Sequence, residues 1–378
     1  MITLAKIVIA LLLVSLQAFG QDRLEFDGQF SAFGNYSPDN ELDMFVGARY
    51  IPELDYAIPL DSSKTLDFQV SANIFGATSF SPFYKNTTDG DIDPYRIWAR
   101  YKGKQFEIRL GLQKIDFGVA TLLRPLQWFN QVDPRDPLGL TNGVYGALGR
   151  YYFLNNANIW VWGLYGNEKT RGFDAIKTYK NNPEFGGRVQ YPVPKGELGV
   201  SFHHRTADSE GIFGVPSFEE IPENRIALDG KWDVEVGLWF EASYIHKTKD
   251  VGILTDQTLL NLGMDYTFGI GNGLNVVAEH LVIAYDEDAF QFANNTQLTA
   301  LNITYPVGLF NNLSTVLYQD WTTDSFTFFM NFEHQFKNLT GYVMAYYNPE
   351  TQQGVQQNDL VNNSFAGPGF RLMLVYNH

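Results

Sequence analysis

The sequence predicts an all-β chain: a transmembrane antiparallel β-barrel of about eighteen strands, or sixteen if one weak hairpin is miscounted. Three observations point there. Segments of roughly ten residues with alternating polarity recur along the chain, which is the length a tilted spanning strand needs. The connections between them alternate between short and long. Mean hydropathy is only −0.18 although 45% of the 378 residues are hydrophobic and 15% are aromatic. A barrel strand needs an apolar residue only at every second position, so a lipid-facing barrel has this modest mean.

The chain opens with a predicted secretory signal over residues 1–20. Lys6 supplies the positive charge, Ile7 to Leu16 is mostly apolar, and Ala18-Phe19-Gly20 places small residues before a cut at Gln21. That apolar run is too short to span a bilayer as a helix. Removing it takes away one lysine, so the formal charge goes from −15 to −15 − 1 = −16. An acidic balance argues against nucleic acid as a partner. The chain has no cysteine, which excludes disulfides, thiolate metal sites, cysteine nucleophiles and a lipidated cysteine anchor.

Residues 21–378 read as the barrel. Leu24, Phe26, Gly28, Phe30 and Ala32 form the first outer face. Met44, Val46, Ala48 and Tyr50 form the second, and Leu66, Phe68, Val70, Ala72 and Ile74 the third. Tyr95, Ile97, Ala99 and Tyr101 follow, backed by Arg96, Trp98 and Arg100. Phe106, Ile108, Leu110 and Leu112 share one parity, with Glu107 and Arg109 on the other; Tyr145, Ala147, Gly149, Tyr151 and Phe153 oppose Arg150. Further strands lie around Ile159–Tyr165, Phe185–Tyr191, Leu198–His204, Ile226–Trp232, Val236–Tyr244 and Thr258–Phe268. Weaker alternation covers Leu274–Val282, Leu298–Tyr305 and Leu313–Gln319, before Phe326–Phe332, Tyr342–Tyr347 and Phe370–Tyr376 complete the set.

Short connections include Lys102-Gly103-Lys104, Asn155-Asn156-Ala157, Pro192–Gly196, Gly269–Gly273 and Lys337-Asn338. Long ones include Thr78–Pro94, Asp116–Gly143, Asn167–Pro183, Ala207–Glu223, Asp286–Thr296 and Asn348–Gly367. With both termini periplasmic, the long ones fall outside and the short ones inside. A soluble sandwich has no reason to keep that order, and no fixed-length repeat suggests a propeller. Closure removes strand edges, whose unpaired N–H and C=O groups are too costly in hydrocarbon.

The stretch Leu110-Gly111-Leu112-Gln113-Lys114-Ile115-Asp116-Phe117-Gly118, then Leu123-Arg124-Pro125, then Phe129-Asn130-Gln131-Val132-Asp133-Pro134-Arg135-Asp136-Pro137 resembles porin-like outer-membrane barrels of Gram-negative bacteria. Alginate-export-type barrels of eighteen strands are similar in this region. The resemblance covers about a tenth of the chain. It implies a channel in an outer membrane; it does not imply alginate.

Inward parity nominates a pore lining: Arg96, Arg100, Arg109, Arg150, Arg188, Arg205 and Arg225 on earlier strands, and Glu235, Glu241, Asp265, Glu279 and Glu333 on later ones. A basic wall facing an acidic one would orient charged solutes; ordinary solvated ion pairs are the plainer alternative. The porin resemblance implies that the connection near 116–143, which follows the fifth strand, folds inward with Trp128-Phe129 packed on the inner wall, stiffened by Pro125, Pro134 and Pro137; a surface loop that merely turns is the alternative. Folded inward, it would place Arg124, Asp133, Arg135 and Asp136 at a constriction.

Asp89-Gly90-Asp91-Ile92-Asp93 has the alternating acids of a calcium loop without the rest of that motif; a solvated outer loop is the expectation. Ser201 and His203 share a face, but neither a Gly-x-Ser-x-Gly elbow nor a His-Glu-x-x-His helix accompanies them. The expectation is therefore a non-enzymatic channel for passive diffusion of small hydrophilic or charged solutes, without cofactor or metal. The alternatives are an export channel for a polysaccharide or anionic polymer, and a plugged barrel serving as adhesin or membrane enzyme. Lipid, lipopolysaccharide and the barrel-assembly machinery are the expected partners, with a homo-oligomer left open.

Overall fold

The computed structural model describes residues 23–39, 42–81, 86–348 and 367–378. The expected signal segment and most of the Asn348–Gly367 connection lie outside the described residues. The strands in chain order are β1 (Leu24–Tyr36), β2 (Met44–Asp61), β3 (Lys64–Phe80), β4 (Asn86–Lys102), β5 (Phe106–Gln113), β6 (Val144–Tyr152), β7 (Asn158–Leu164) and the two-residue β8 (Lys177–Thr178). They continue as β9 (Glu184–Val193), β10 (Gly196–Asp208), β11 (Ile221–Asp233), β12 (Gly237–Lys247), β13 (Asp256–Phe268) and β14 (Leu274–Asp286). The last are β15 (Asn295–Pro306), β16 (Asn311–Asp320), β17 (Ser325–Gln335), β18 (Leu339–Asn348) and β19 (Gly367–Asn377).

All but β8 belong to one closed antiparallel wall of eighteen strands. β8 sits inside the β7–β9 connection and pairs with Ala207 and Asp208 at the end of β10. The seam runs from Gln29↔Asn377 to Tyr36↔Phe370. Gly28 and His378 extend it by exchanging backbone hydrogen bonds in both directions, each 3.1 Å. Even strand number and antiparallel closure leave the ring without an open edge along the seam, as hydrocarbon requires.

Side-chain direction follows the alternation in the sequence. Phe26, Val70, Leu110, Val161, Leu262 and Leu372 are exposed and point outward. Their neighbours in sequence point into the lumen, and many of these are buried: Ser31, Phe33, Leu148, Trp162, Ala227, Leu281 and Met344 among them. An apolar lumen residue is buried only if something covers it, so the interior is not simply a water-filled tube.

The structure corrects one connection. The expected outer loop Thr78–Pro94 is mostly hairpin, because β3 continues to Phe80 and β4 begins at Asn86. β5 pairs with β4 only from Ile97 to Lys102, so the start of β4 rises past its neighbour. Asp89, Asp91 and Asp93 therefore lie on a strand. Alternate residues on a strand are about 6.6 Å apart and parallel, so they cannot wrap one cation. Two of these carboxylates serve the strand's own free edge instead: Gly90 N–H donates to Asp89 Oδ1 and Ile92 N–H to Asp91 Oδ1, both at 2.8 Å. Charged, self-capped edges resist pairing with other chains. No cluster of three metal-ligating side chains occurs among the described residues.

The two faces make a direct prediction. Leu372→Arg, on the lipid side, should lower folding stability in phospholipid vesicles by about 2–4 kcal/mol. Thr304→Arg, at an inward position of β15, should cost far less. Denaturant titration of both refolded variants checks this.

Candidate pore constriction

The chain leaves the wall at the end of β5. Gly111 has φ 119°, and a Cβ there would stand 2.1 Å from the Ile97 carbonyl oxygen, so only glycine lets β5 approach β4 and bend away. Gln113 then closes the gap, its side-chain amide donating to the carbonyls of Arg109 (3.3 Å) and Gly146 (3.0 Å).

The following connection, residues 114–143, carries a run of apolar side chains that are nearly all buried. They are covered by inward-facing wall residues. Phe117 stacks on Trp162 of β7 with centroids 5.6 Å apart, and Phe129 meets His203 of β10 edge-on at 4.8 Å. Leu122 and Leu123 join Ile245, Leu259, Leu281 and Ile283 on β12–β14. Leu138 reaches a cluster on β1, β3 and β16–β19 that includes Phe33, Phe75, Val316, Phe329 and Met373. The connection thus runs round the inner wall and returns to β6.

Two wall carboxylates hold its backbone. Glu241 of β12 accepts the N–H groups of Val119 (2.5 Å), Ala120 (2.8 Å) and Leu126 (3.1 Å). Glu279 of β14 accepts the N–H and hydroxyl of Thr121 (2.7 and 3.0 Å) and the N–H groups of Leu122 (3.1 Å) and Leu123 (2.5 Å). Trp239 Nε1 also donates to Glu279 at 3.1 Å. Gly118, with φ 101°, passes so close that a Cβ would lie 2.4 Å from Glu241 Oε1. Neither glutamate faces water: they are 1% and 2% exposed. Charge-assisted bonds to a desolvated backbone are the strong kind.

A second connection, between β7 and β9, also folds onto the lumen side. Asp174 accepts from Arg205 Nη1 (2.9 Å) and Arg225 Nη2 (2.7 Å), and Glu223 accepts from Arg205 Nε (2.6 Å) and Arg225 Nε (2.8 Å). Gln257 of β13 donates to the Phe173 carbonyl at 3.1 Å. The two connections touch each other, since a Cβ on Gly172 would lie 2.3 Å from the Gln127 carbonyl oxygen.

The nominated arginines divide into groups. Arg100, Arg109 and Arg150 come together on β4–β6, with side chains 26%, 14% and 16% exposed. Arg100 faces Arg109 directly in register. Both lie over the Trp98 ring, at 5.3 and 4.7 Å, and Arg150 lies over Trp160 at 3.8 Å. Asp67 pairs with Arg100 (2.8 Å) and Glu107 with Arg109 (3.7 Å) and Arg150 (3.0 Å). Arg96 is buried and donates to the Thr141 carbonyl (3.2 Å) and hydroxyl, fastening the returning end of the 114–143 connection. Arg188 is buried in a two-pronged pair with Asp229 (2.5 and 2.7 Å) and donates to Ser201 Oγ at 3.0 Å. His203 Nε2 meets Glu184 at 3.2 Å instead of Ser201.

On the connection itself, Arg124 and Lys114 flank Asp116 at 2.6 and 3.2 Å. Burial works to raise the Asp116 carboxyl, but the two cations more than offset it and hold it below its ordinary value. Arg135 grips Asp133 through Nε and Nη2 (3.0 and 2.9 Å). Asp136 is partly buried beside the acidic Asp133, and desolvation pushes its carboxyl above the ordinary range despite the Leu138 N–H, Arg371 and Arg49. Arg49 of β2 and Arg371 of β19 lie over Phe75 (5.0 Å) and Phe33 (4.3 Å). Both were missing from the nominated set, although the parity of Met44–Tyr50 and Phe370–Tyr376 already turns them inward.

No protein-family model and no curated protein matches this chain. Solved structures do. OccD3 (OpdP) of Pseudomonas aeruginosa aligns with TM-score 0.59 at 9% identity, covering 94% of this chain and 91% of that one. OccK5 (OpdH) of the same organism aligns with TM-score 0.57 at 12% identity, covering 94% and 98%. An anion-selective porin from Comamonas acidovorans aligns with TM-score 0.50 at 12% identity, covering 94% and 99%. The likeness is one of fold: this chain has the closed barrel of outer-membrane porins. It bears on architecture and not on alginate.

Two predictions follow from the grip on the loop. Glu279→Gln turns an amide toward backbone donors and orphans some of them, at about 1–3 kcal/mol each; the thermal midpoint should fall and single-channel current noise should rise. Asp136 gives a pH effect. A carboxyl with a raised folded-state pKa favours folding most when protonated. Stability should therefore rise as pH falls from neutral through the raised value toward the ordinary one. Thermal melts from pH 7 to pH 4 should show this gain in the wild type and not in Asp136→Asn.

Proposed function

We propose that this chain is a porin, a channel in the outer membrane of a Gram-negative bacterium for passive diffusion of small hydrophilic or charged solutes. The observation that carries the reading is the group Arg100, Arg109 and Arg150, partly solvent-exposed on the lumen wall beside the inward-folded 114–143 connection. Three guanidinium groups share two carboxylates there, Asp67 and Glu107, so the group keeps an excess of 3 − 2 = +1. Guanidinium forks match carboxylate and phosphate oxygens, and partial exposure leaves them in reach of a passing solute. The Trp98 and Trp160 faces hold the guanidinium planes in place.

Diffusion down a gradient asks for no cofactor and no catalytic step. Lipid and lipopolysaccharide would surround the outer face, and the barrel-assembly machinery would insert it. A wide bore for polymer export fits less well, because the connections at 114–143 and 165–183 occupy lumen space against β6–β15.

Replacing Arg100, Arg109 and Arg150 together by Gln should move the reversal potential under a KCl gradient toward cation preference. An unmoved potential would remove these residues from selectivity. Arg96→Gln, at a buried fastening position, should move it much less.

A further inference from the structure

The seam between the two inward-folded connections contains donors that the chain does not satisfy. Arg171, on the β7–β9 connection, spends Nη2 on Glu184 Oε2 (2.8 Å) and Thr178 Oγ1 (3.0 Å). Its Nε and Nη1 meet no acceptor of the chain, and the residue is only 4% exposed. Across the seam, Trp128 Nε1 and Asn130 Nδ2 are likewise buried donors without partners, beside one unpartnered acceptor, Asn130 Oδ1. The two sides are in contact: Arg171 Cζ lies 5.7 Å from the Phe129 ring centre.

Charge counts the same way. The buried network around Arg171 holds four cations, Arg171, Arg205, Arg225 and Lys247. It holds three carboxylates, Asp174, Glu184 and Glu223. The excess is 4 − 3 = +1. A buried guanidinium with unmade hydrogen bonds is costly, and a buried uncompensated charge more so. A water molecule answers the first cost; only an anion answers both.

We propose that the seam binds a halide-sized anion against Arg171 Nε and Nη1, and that this anion fastens the two connections to each other. Burial of every donor limits the ligand to a small ion and excludes a solute in transit. The anion is thus a structural component, separate from the Arg100–Arg109–Arg150 group.

Crystals of the full-length protein soaked in sodium bromide test this directly. The expected result is an anomalous peak within hydrogen-bond distance of Arg171 Nε or Nη1. Density there without anomalous signal means water, and overturns the proposal, as does bromide only elsewhere. In solution, the thermal midpoint should be higher in sodium chloride than in sodium gluconate at equal ionic strength, because gluconate is too large for the seam. Equal midpoints overturn the proposal. Arg171→Lys keeps the charge and loses the fork, so it should abolish both the peak and the chloride effect. If that variant fails to fold, the two wild-type measurements still decide.

Discussion

The backbone of the β5–β6 connection must find hydrogen-bond acceptors inside a barrel, and Glu241 and Glu279 supply them. An inward loop that stayed in water could be solvated. This one packs Ile115, Phe117, Leu122, Leu123, Leu126 and Phe129 against the wall, so the amides of the buried Ala120, Leu122, Leu123 and Leu126 have little access to water. A carboxylate is an acceptor with about four lone-pair sites, and two of them on neighbouring alternate strands take the whole turn. Remove that acceptance and the apolar packing would have to carry unpaired N–H groups. The shape of the lumen therefore rests on two acids that touch no solute.

The rest of the interior follows from where carboxylates are spent. The later-strand acids were expected to face the arginines across water. Glu241 and Glu279 are instead turned to backbone, and the arginines take their partners from near neighbours: Asp67 for Arg100, Glu107 for Arg150, Asp229 for Arg188. The field of the lumen is then built from short local pairs with small excesses. The arginine group on β4–β6 keeps one excess charge with partial exposure, and the buried network at Arg171 keeps another. These two places differ in what can reach them: on the proposed reading the first meets solutes and the second serves the fold.

The wall was legible in the sequence because its rule is local. Alternation at Leu24–Ala32 or Val236–Tyr244 decides which side faces lipid, and a one-residue slip would reverse every side chain. For the inward connection the prolines and Trp128-Phe129 left a surface loop as the alternative, because the wall residues that cover it lie far away in sequence. The role of Glu241 was not, because its partners are backbone amides more than a hundred residues away, and any residue type supplies an amide. The Thr78–Pro94 segment misled for a related reason. Its Asp and Gly content reads as loop, yet Phe80↔Asn86 pairing extends the hairpin, with Asp89 and Asp91 accepting from the N–H groups that follow them. Ser201 and His203 share a face as expected, but Arg188 and Glu184 claim them separately.

On the proposed function, the 114–143 connection narrows a conducting lumen. Single-channel recording of the refolded protein in a planar bilayer, beside a variant lacking residues Leu126–Pro137, tests it most directly. Discrete open steps are expected in both, with larger conductance in the deletion. A folded wild-type barrel that never opens, or a deletion with unchanged conductance, would contradict it.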